Sequence, residues 1–568
     1  MAIEQLTIEE IVKRAVNKSL DIPEFQREFV WGTDQVKSLV DSLFKDYPVG
    51  SFLLWDSSDY QESKSAQGTQ AALWIVDGQQ RTTALCLILG HKPYWWDNNE
   101  KWNKSLETYD VMVNLIPDGG EKGLEFALPN PIRRKDPRWV SVREIVALGK
   151  IDALSAVARK QAEAIFKFQS PDSSLSPEEK DRLFDLIHPR MSRLWRIRER
   201  NIPIIKISHE VEDVAKIFAR LNQAGTRVKE ADVTLALAAV RNPGWVRNDY
   251  LPFCNDLEEH GWDLDAGIFI RTMTGIGHGR ARLIEVPEEF WSPTTLPIVW
   301  DKAKEVIEEV RKRLAEFGIF SPAQLPSTNS LIPFFTLNHR SRDWPDYNFK
   351  KALFWFLLAN RDGRYSGAAI TSLNEDVRTI KEAETFSEAM ESLLNRLRVN
   401  TTIAEDEFLN RYERAGNKFL RLVLYLIIFD QQAQDWIDKT LIGYDKSGAP
   451  VVTGFEPQWH HIYPRSILRD KYQDDDINAL ANITVLNERT NVKKLSAKEP
   501  IRYLQEFNIT QELLAPHAVP EKYLQAREQG DAVIEWQWSI DNFKDFIVER
   551  SKTLAYEANE FLKKIAAG

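Results

Sequence analysis

Two adjacent histidines near the carboxyl end, His460 and His461, are the residues best suited to chemistry. Pro464 follows them, and Asn482 and Asn491 come later in the same stretch. An imidazole titrates near neutral pH and can therefore take a proton from water. A second imidazole and an amide can hold a divalent cation, which stabilises the charge that develops on a phosphodiester during hydrolysis. The residue types and their order therefore predict a metal-assisted hydrolytic site.

Two short strands and a helix are predicted to position these residues. The first strand ends at the two histidines, because Pro464 stops it, and residues 481–486 form the second strand. A helix that carries Asn491 follows. Adjacent strand residues point to opposite faces, so one imidazole can lie with the Asn491 amide at a cation while the other acts as a base.

This segment resembles the HNH, or ββα-metal, nuclease family, and specifically the C-terminal HNH domain of GmrSD-type modification-dependent restriction enzymes. The residues that carry the resemblance are His461-Ile462-Tyr463-Pro464, Asn482-Ile483-Thr484 and Asn491. The resemblance implies that His461 is the general base and that Asn482 braces the loop that carries this base. It also implies that His460 and Asn491 hold one divalent metal ion, Mg²⁺ or Mn²⁺.

The resemblance further implies that Lys494 or Lys498 contacts the scissile phosphate. One departure concerns the residue before the base, which is commonly acidic in the family and is His460 here. Because imidazole favours borderline metals more than a carboxylate does, the preferred metal stays open.

A second segment, Asp77-Gly78-Gln79-Gln80-Arg81, lies between a predicted strand at 73–76 and a predicted helix. A helix N-terminus presents unpaired backbone N–H groups that suit phosphate, and an arginine can grip phosphate oxygens with two parallel hydrogen bonds. Upstream, Gln26 and Arg27 could converge on the same pocket. The sequence has no GxxxxGK[ST] pattern, which excludes a P-loop protein.

This region resembles the ParB-like, nucleotide-hydrolysing GmrS domain of the same enzymes. The matching segments are PEFQR-x-x-x-W (23–31), YPVG (47–50), VDGQQRTTAL (76–85) and FARLNQAGT (218–226). The resemblance implies that the 77–81 segment binds or hydrolyses a nucleoside triphosphate. It implies that four further residues shape the pocket: Gln26, Arg27, Asn222 and Gly225.

The overall composition limits the class of protein. The chain has 568 residues, 43% of them hydrophobic, and a formal net charge of −10. A long uninterrupted apolar stretch is missing and the beginning lacks a signal-peptide core, so we expect a cytoplasmic protein without a membrane span. Two cysteines cannot build a disulfide framework. The acidic balance argues against a protein that coats nucleic acid with its whole surface, but it allows a local basic groove.

Basic clusters at 131–143, 190–200 and 275–283 are the candidates for such a groove. Arg193, Arg196 and Arg200 fall near one face of a predicted helix, and we expect them to bind DNA together with Lys498. The alternative interpretation of the 190–200 cluster is a solvated helix face.

The predicted fold is multidomain α+β and mostly helical. Residues 1–240 are expected to form a ParB-like α/β domain, 241–440 an all-α domain, and 441–568 a ββα-metal nuclease unit with a long terminal helix. The expected function is a nucleotide-dependent DNA endonuclease of type IV that restricts modified phage DNA. Two alternatives stay open: a ParB-like, nucleotide-switched DNA-binding regulator with an inactive nuclease domain, and an RNA-targeting HNH toxin. The expected partners are modified double-stranded DNA, a nucleoside triphosphate and a second copy of the chain.

Overall fold

The computed structural model divides the chain into two compact units, Met1–Val246 and Arg247–Gly568. It describes residues 2–568 except 23–28, 57–72, 97–98, 118–123, 170–175, 210–212, 215–216, 218–229, 243, 368, 445–456, 488–489, 491–494, 496–497 and 529–536. The chain is mostly helical with small sheets, which confirms the predicted α+β class. The second unit begins at Arg247, six residues later than the predicted boundary, and contains the rest of the predicted 241–440 domain and the predicted 441–568 domain. The predicted boundary at 440 stays a prediction.

The first unit contains strands of two small sheets with helices between them. The described strands are β1 Ala2–Thr7, β2 Leu20–Asp21, β3 Phe52–Asp56, β4 Leu73–Asp77, β5 Met112–Asn114, β6 Glu125–Ala127, β7 Trp139–Ser141 and β8 Asn201–Ile207. The described helices are α1 Ile8–Val16, α2 Thr33–Phe44, α3 Gln79–Leu89, α4 Asn99–Thr108, α5 Val142–Val146, α6 Asp152–Gln169, α7 Pro177–Trp195 and α8 Glu230–Arg241.

The larger sheet is mixed, with the strand order β1-β8-β3-β4-β2. Strand β3 runs parallel to β8 and antiparallel to β4, so the carboxyl end of β4 lies beside the start of β3. Strands β6, β5 and β7 form the antiparallel three-stranded sheet. Helix α2 buries five apolar residues that recur along one face, Val36, Leu39, Val40, Leu43 and Phe44.

The second unit consists of helices and one short hairpin. Its helices up to the hairpin are α9 Leu251–Glu259, α10 Ala266–His278, α11 Leu296–Ala315, α12 Leu331–Arg340, α13 Phe349–Asp362, α14 Ile370–Glu382, α15 Phe386–Leu394 and α16 Lys418–Asp430. The elements after α16 are β9 Trp459–His461, α17 Arg465–Leu468, α18 Asp474–Ile477, β10 Ile483–Val485, α19 Pro500–Glu506, α20 Gln511–Leu514, α21 Glu521–Glu528 and α22 Phe543–Ala567.

Helix α22 fastens the hairpin to the helical part of this unit. Its apolar stripe, which includes Phe546, Leu554 and Phe561, packs against α13 and α16. Helix α16 is apolar nearly all round and is buried. No helix among the described residues is long and apolar enough to cross a membrane.

Candidate functional site

Strands β9 and β10 form an antiparallel hairpin that carries the two histidines. His460 lies opposite Thr484, and His461 lies opposite Ile483. The two imidazoles have different aromatic neighbours, since the ring of His460 meets Trp436 edge-on at 5.9 Å and that of His461 meets Tyr412 edge-on at 5.7 Å. The two imidazoles have different surroundings because successive side chains of a strand point to opposite faces.

The imidazole of His461 is oriented by Asn478, a residue that sequence reasoning missed. The Asn478 amide donates from Nδ2 to the Asp474 carbonyl at 2.9 Å, which fixes the direction of its side chain. Its Oδ1 then faces Nε2 of His461 at 3.0 Å, so Nε2 must carry the proton. In this tautomer the lone pair of the ring is on Nδ1, and no described residue donates a hydrogen bond to that atom. Nδ1 is therefore the basic atom.

Burial lowers the pKa of His461 below its ordinary value, and nearby Arg465 acts in the same direction. The hydrogen bond to Asn478 opposes this change because it favours the protonated ring. The net effect keeps the imidazole neutral near pH 7, which is the protonation state that a general base requires.

Asn482 holds the loop that follows His461. Its side chain is fully buried, accepts a hydrogen bond from the backbone N–H of Tyr463 at 2.9 Å and donates to the Tyr463 carbonyl at 3.0 Å. A further hydrogen bond runs from its Nδ2 to the Ile477 carbonyl at 2.9 Å. The amide thus ties the loop after the base to the turn before β10.

Two further buried groups support the hairpin. Arg550 of α22 donates to the carbonyls of Ala481 and Ile483, which flank Asn482, at 2.8 Å each. The Tyr503 hydroxyl donates to the Ile462 carbonyl at 2.7 Å. A pattern search cannot find such residues, since they act on backbone atoms and lie far along the chain from the segments that they hold.

His460 is buried, and Asn491 and Lys494 lie outside the described residues. Thr490, the residue before Asn491, donates through its hydroxyl to buried Asp435 at 2.8 Å. Asp435 also accepts from the backbone N–H of Asn487 at 2.9 Å. Asp435 therefore fixes the chain immediately before the predicted metal ligand.

The chemistry of the predicted donors fits a divalent cation, because an imidazole nitrogen and an amide oxygen both coordinate such ions and water completes the shell. Among the described residues, no group of three or more His, Cys, Asp or Glu side chains is placed to hold a metal ion. The two-donor site formed by His460 and Asn491 therefore stays a prediction.

Three of the four residues that were predicted to bind DNA have local partners. Lys498 forms an ion pair with Glu506, with Nζ at 2.5 and 2.6 Å from its two carboxylate oxygens. Arg193 stacks on Phe44 at 4.4 Å, and Arg200 pairs with Asp46.

Arg193, Arg196 and Arg200 do not share one α-helical face, because α7 ends at Trp195 and Arg196 begins a 3-10 turn that ends at Glu199. The prediction of a single face was wrong for this reason. DNA binding by these arginines stays a prediction.

The 77–81 segment joins a strand to a helix, as its sequence predicted. Strand β4 ends at Asp77, and Gly78 has a φ of +109°, a conformation that favours glycine. Helix α3 begins at Gln79 and leaves its first backbone N–H groups without intrahelical acceptors. Gln80 accepts a hydrogen bond from the backbone of Val30 at 2.8 Å.

Arg81 links this segment to the turn before β3. Its guanidinium donates to Asp77 at 2.7 Å and to the Val49 carbonyl at 2.8 Å. Gly50 allows this close approach, because a Cβ at that position would lie 2.5 Å from Nη1 of Arg81. A cleft of about 390 Å³ beside Arg81 is also lined by Trp31 and Val49. Gln26, Arg27, Asn222 and Gly225 lie outside the described residues.

The strand-turn-helix arrangement lies within a region that matches a known family. Residues 8–239 match the family model described as GmrSD restriction endonuclease, N-terminal domain. The match supports a relationship of this part of the chain to the GmrSD-type restriction endonuclease family. The matched region includes the 77–81 segment and the cleft beside Arg81.

The chain is also similar to a full-length relative from Methanocaldococcus jannaschii, named "Uncharacterized protein MJ0686". The two are 21% identical over an alignment that covers 97% of this chain and 98% of the relative. The similarity therefore extends through the second unit, beyond the region that matches the GmrSD model.

Proposed function

We propose that this chain is a nucleotide-dependent DNA endonuclease whose HNH-like site is built around His461. The observation that supports this proposal most directly is the orientation of the His461 ring by Asn478, which leaves Nδ1 as a neutral base. Asn482 ties down the loop that follows this base. The GmrSD match of the first unit supports the same enzyme class independently.

In the proposed reaction, Nδ1 of His461 takes a proton from a water molecule while the water oxygen forms a bond to phosphorus. The bond from phosphorus to the 3′-oxygen breaks, and this oxygen takes up a proton from solvent. The products are a 5′-phosphate and a 3′-hydroxyl. Asn478 keeps the proton of the neutral ring on Nε2, so that Nδ1 carries the lone pair before the transfer; after cleavage the proton on Nδ1 passes to solvent and restores the base.

His460 and Asn491 would hold a divalent metal ion, Mg²⁺ or Mn²⁺, which supplies electrostatic stabilisation of the charged phosphorane when it is bound. Asp435 and Thr490 would set the position of Asn491, because they fix the backbone on its N-terminal side. Lys494 would contact the scissile phosphate. Lys498 would have to exchange its ion pair with Glu506 for such a contact.

The first unit would bind and hydrolyse a nucleoside triphosphate at the start of α3. The positive end of the α3 helix dipole suits phosphate oxygens, and an open cleft of about 390 Å³ lies beside Arg81. Nucleotide turnover would control the access of the nuclease site to DNA. A type IV enzyme of this kind would restrict modified phage DNA.

The proposal is tested by plasmid nicking with the purified full-length chain in Mg²⁺ or Mn²⁺. We expect His461→Ala to abolish nicking and to leave nucleoside triphosphate hydrolysis unchanged, because the two sites lie in different units. His260→Ala is a matched control, since the ring of this partly buried histidine at the end of α9 lies within hydrogen-bond distance of Asp256 in its own helix turn. Wild-type cutting by His461→Ala would show that another group is the base.

The substrate is tested with plain, methylated, glucosylated and phosphorothioated duplexes, each with and without every nucleoside triphosphate. Cleavage of one modified duplex in a nucleotide-dependent manner is the expected result. Nucleotide-dependent binding without metal-dependent cleavage would favour the regulator, and preferential cleavage of single-stranded RNA would favour the RNA-targeting toxin.

A further inference from the structure

A basic loop, residues 130–138, lies between β6 and β7 of the three-stranded sheet of the first unit. A 3-10 turn at Arg133–Lys135 forms its tip. The side chain of Ile132 beside this turn is 79% exposed, whereas most isoleucines of this unit are buried. An isolated exposed apolar side chain is common, so its meaning depends on what surrounds it.

Internal hydrogen bonds hold the loop in one conformation. The Asn130 side chain accepts from the backbone N–H of Arg133 at 2.7 Å, and the Arg134 N–H donates to the Asn130 carbonyl at 3.0 Å. The Arg133 guanidinium lies over Trp139 at 5.0 Å from the ring centre and donates to the Leu128 carbonyl at 3.0 Å. Exposure of Ile132 is therefore a property of a fixed loop.

The loop is strongly positive at its tip. Arg134 and Lys135 are exposed, and neither has an acidic partner within ion-pair distance in the part of the chain that the structure describes. The one acid of the loop, Asp136, is turned inward and accepts hydrogen bonds from Arg138 at 2.8–3.1 Å. Burial raises the pKa of Asp136, but these hydrogen bonds outweigh burial and leave the pKa below its ordinary value. The negative charge of Asp136 therefore balances the charge of Arg138 and does not balance those of Arg134 and Lys135.

A second exposed isoleucine shows that an exposed apolar side chain does not always lie beside unpaired cations. Ile284 of the second unit is 88% exposed and also lies on a 3-10 turn, Leu283–Glu285. There, Glu285 lies within ion-pair distance of both Arg280 and Arg282, at 3.4 and 3.6 Å. Both arginines beside Ile284 therefore have an acidic partner, in contrast to Arg134 and Lys135 beside Ile132.

We propose that the basic loop is a DNA wedge: Ile132 inserts between base steps in the minor groove of duplex DNA, and Arg134 and Lys135 contact phosphates on either side. Architectural minor-groove proteins use this combination of an apolar wedge and flanking cations. An anionic membrane fits less well, because interfacial binding needs a broad apolar face and this loop offers one apolar side chain. The inference rests on the proposed DNA substrate and assigns a contact site for it.

The experiment measures binding of fluorescein-labelled duplex DNA by the full-length chain without divalent metal, so that cleavage does not enter. Arg134→Ala/Lys135→Ala should lower the slope of log K against log salt by about 1.8, since each phosphate contact contributes about 0.9. At about 0.1 M salt, this corresponds to a loss of affinity of up to roughly 60-fold. Lys150→Ala/Lys160→Ala is the matched control, because it removes two other exposed cations of the same unit.

The wedge itself is tested with a set of duplexes that carry 2-aminopurine at different base steps. The wild-type chain should raise the 2-aminopurine fluorescence by unstacking a step. Ile132→Ala should abolish this rise and leave the salt slope unchanged, and Ile284→Ala should behave as wild type. Thermal unfolding of each variant separates loss of the loop contact from loss of the fold.

The proposal is overturned if the double variant keeps the wild-type salt slope or if Ile132→Ala still unstacks DNA. Loop-dependent binding to phosphatidylserine vesicles together with an unchanged DNA salt slope would assign the loop to a membrane surface and would also overturn it. Loop-dependent DNA binding by a wild-type chain that cuts no DNA would refute the proposed nuclease and leave the wedge supported.

Discussion

The hydrogen bonds of Asn482 lead to a prediction that separates stability from catalysis. Substitution of Asn482 by alanine removes three hydrogen bonds to backbone groups of Tyr463 and Ile477. All three groups lose their partner inside the protein. Each buried group that loses its partner costs about 1–3 kcal/mol, and we expect a total near 3–5 kcal/mol because the loop relaxes in part.

The loop that Asn482 releases begins directly after His461, so its relaxation moves the base. A displacement on the order of 1 Å is enough to lower a reaction rate about 100-fold. The expected outcome for Asn482→Ala is a fall in the nicking rate per folded molecule of at least that factor. At low temperature most molecules should remain folded, since proteins of this kind have about 5–15 kcal/mol of stability.

Asn360 provides the matched control within the same unit. It is 3% exposed, donates to the Ser330 hydroxyl and the Phe356 carbonyl at 3.0 Å, and accepts from the backbone N–H of Ser327 at 3.3 Å. The Ser330 hydroxyl also lies 3.3 Å from its Oδ1, so Asn360→Ala removes at least as many hydrogen bonds as Asn482→Ala does. We expect a similar loss of stability in urea unfolding and little change in nicking per folded molecule.

Equal nicking rates per folded molecule for the two variants would refute the reasoning, because the loss would then follow stability alone. The reasoning is also refuted if the total nicking rate of each variant falls only in proportion to its unfolded fraction. The folded fraction is measured by tryptophan fluorescence under the conditions of the nicking assay.

Three further predictions concern other parts of the molecule. Asn478→Ala should lower kcat about 10–100-fold with little change in KM, because the ring of the base loses the partner that fixes its tautomer. Burial lowers the pKa of His517 to about 3, whereas the unfolded value is about 6.5. The free energy of unfolding should therefore fall by roughly 2 kcal/mol between about pH 7.5 and about pH 5. Urea titrations of His517→Gln should lack this part of the pH dependence. Gly50→Ala should displace Arg81 and weaken nucleotide hydrolysis.

Each of these predictions has its own control. For Gly50→Ala it is Gly149→Ala, since a Cβ at Gly149 meets no atom within 4 Å. For His517 the sign follows from the folded state, which binds fewer protons than the unfolded chain between the two pKa values. A His517→Gln chain with the same pH dependence as wild type would contradict the assignment. For Asn478, an equal change in kcat and KM would indicate a general loss of the site.

The sequence predicted the local elements around both candidate sites well, because short-range patterns decide them. The β4–Gly78–α3 connection follows from an apolar strand, a glycine and a helix start that are adjacent in the chain. The hairpin with His460 and His461 follows from the stop at Pro464 after the first strand and from the apolar strand β10. The single helical face for Arg193, Arg196 and Arg200 failed because the periodicity of arginines does not reveal where a helix tightens into a 3-10 turn.

The surroundings of the base could not be predicted in the same way. Asn478 is an ordinary turn residue by sequence, and its contact with His461 exists only because the turn after α18 folds back over β9. The ion pairs of Lys498 and Arg200 could not be predicted from the sequence either, since Glu506 and Asp46 become their partners only in the folded chain. Residue type predicts the capacity for chemistry, and the fold decides which partner a side chain has.

Residues outside the segment 459–490 are needed to position the residues of the candidate site. The backbone N–H of Tyr412 donates to the Asn478 carbonyl at 2.9 Å, and the Tyr412 ring contacts His461, so residues before the hairpin position the base and its orienting amide. Asp435, which also precedes the hairpin in the sequence, accepts a hydrogen bond from Thr490. Arg550, more than sixty residues after the hairpin, clamps both carbonyls next to Asn482. Because these supports come from α16 and α22 or their neighbours, the geometry of the base depends on the packing of the helical part of the second unit.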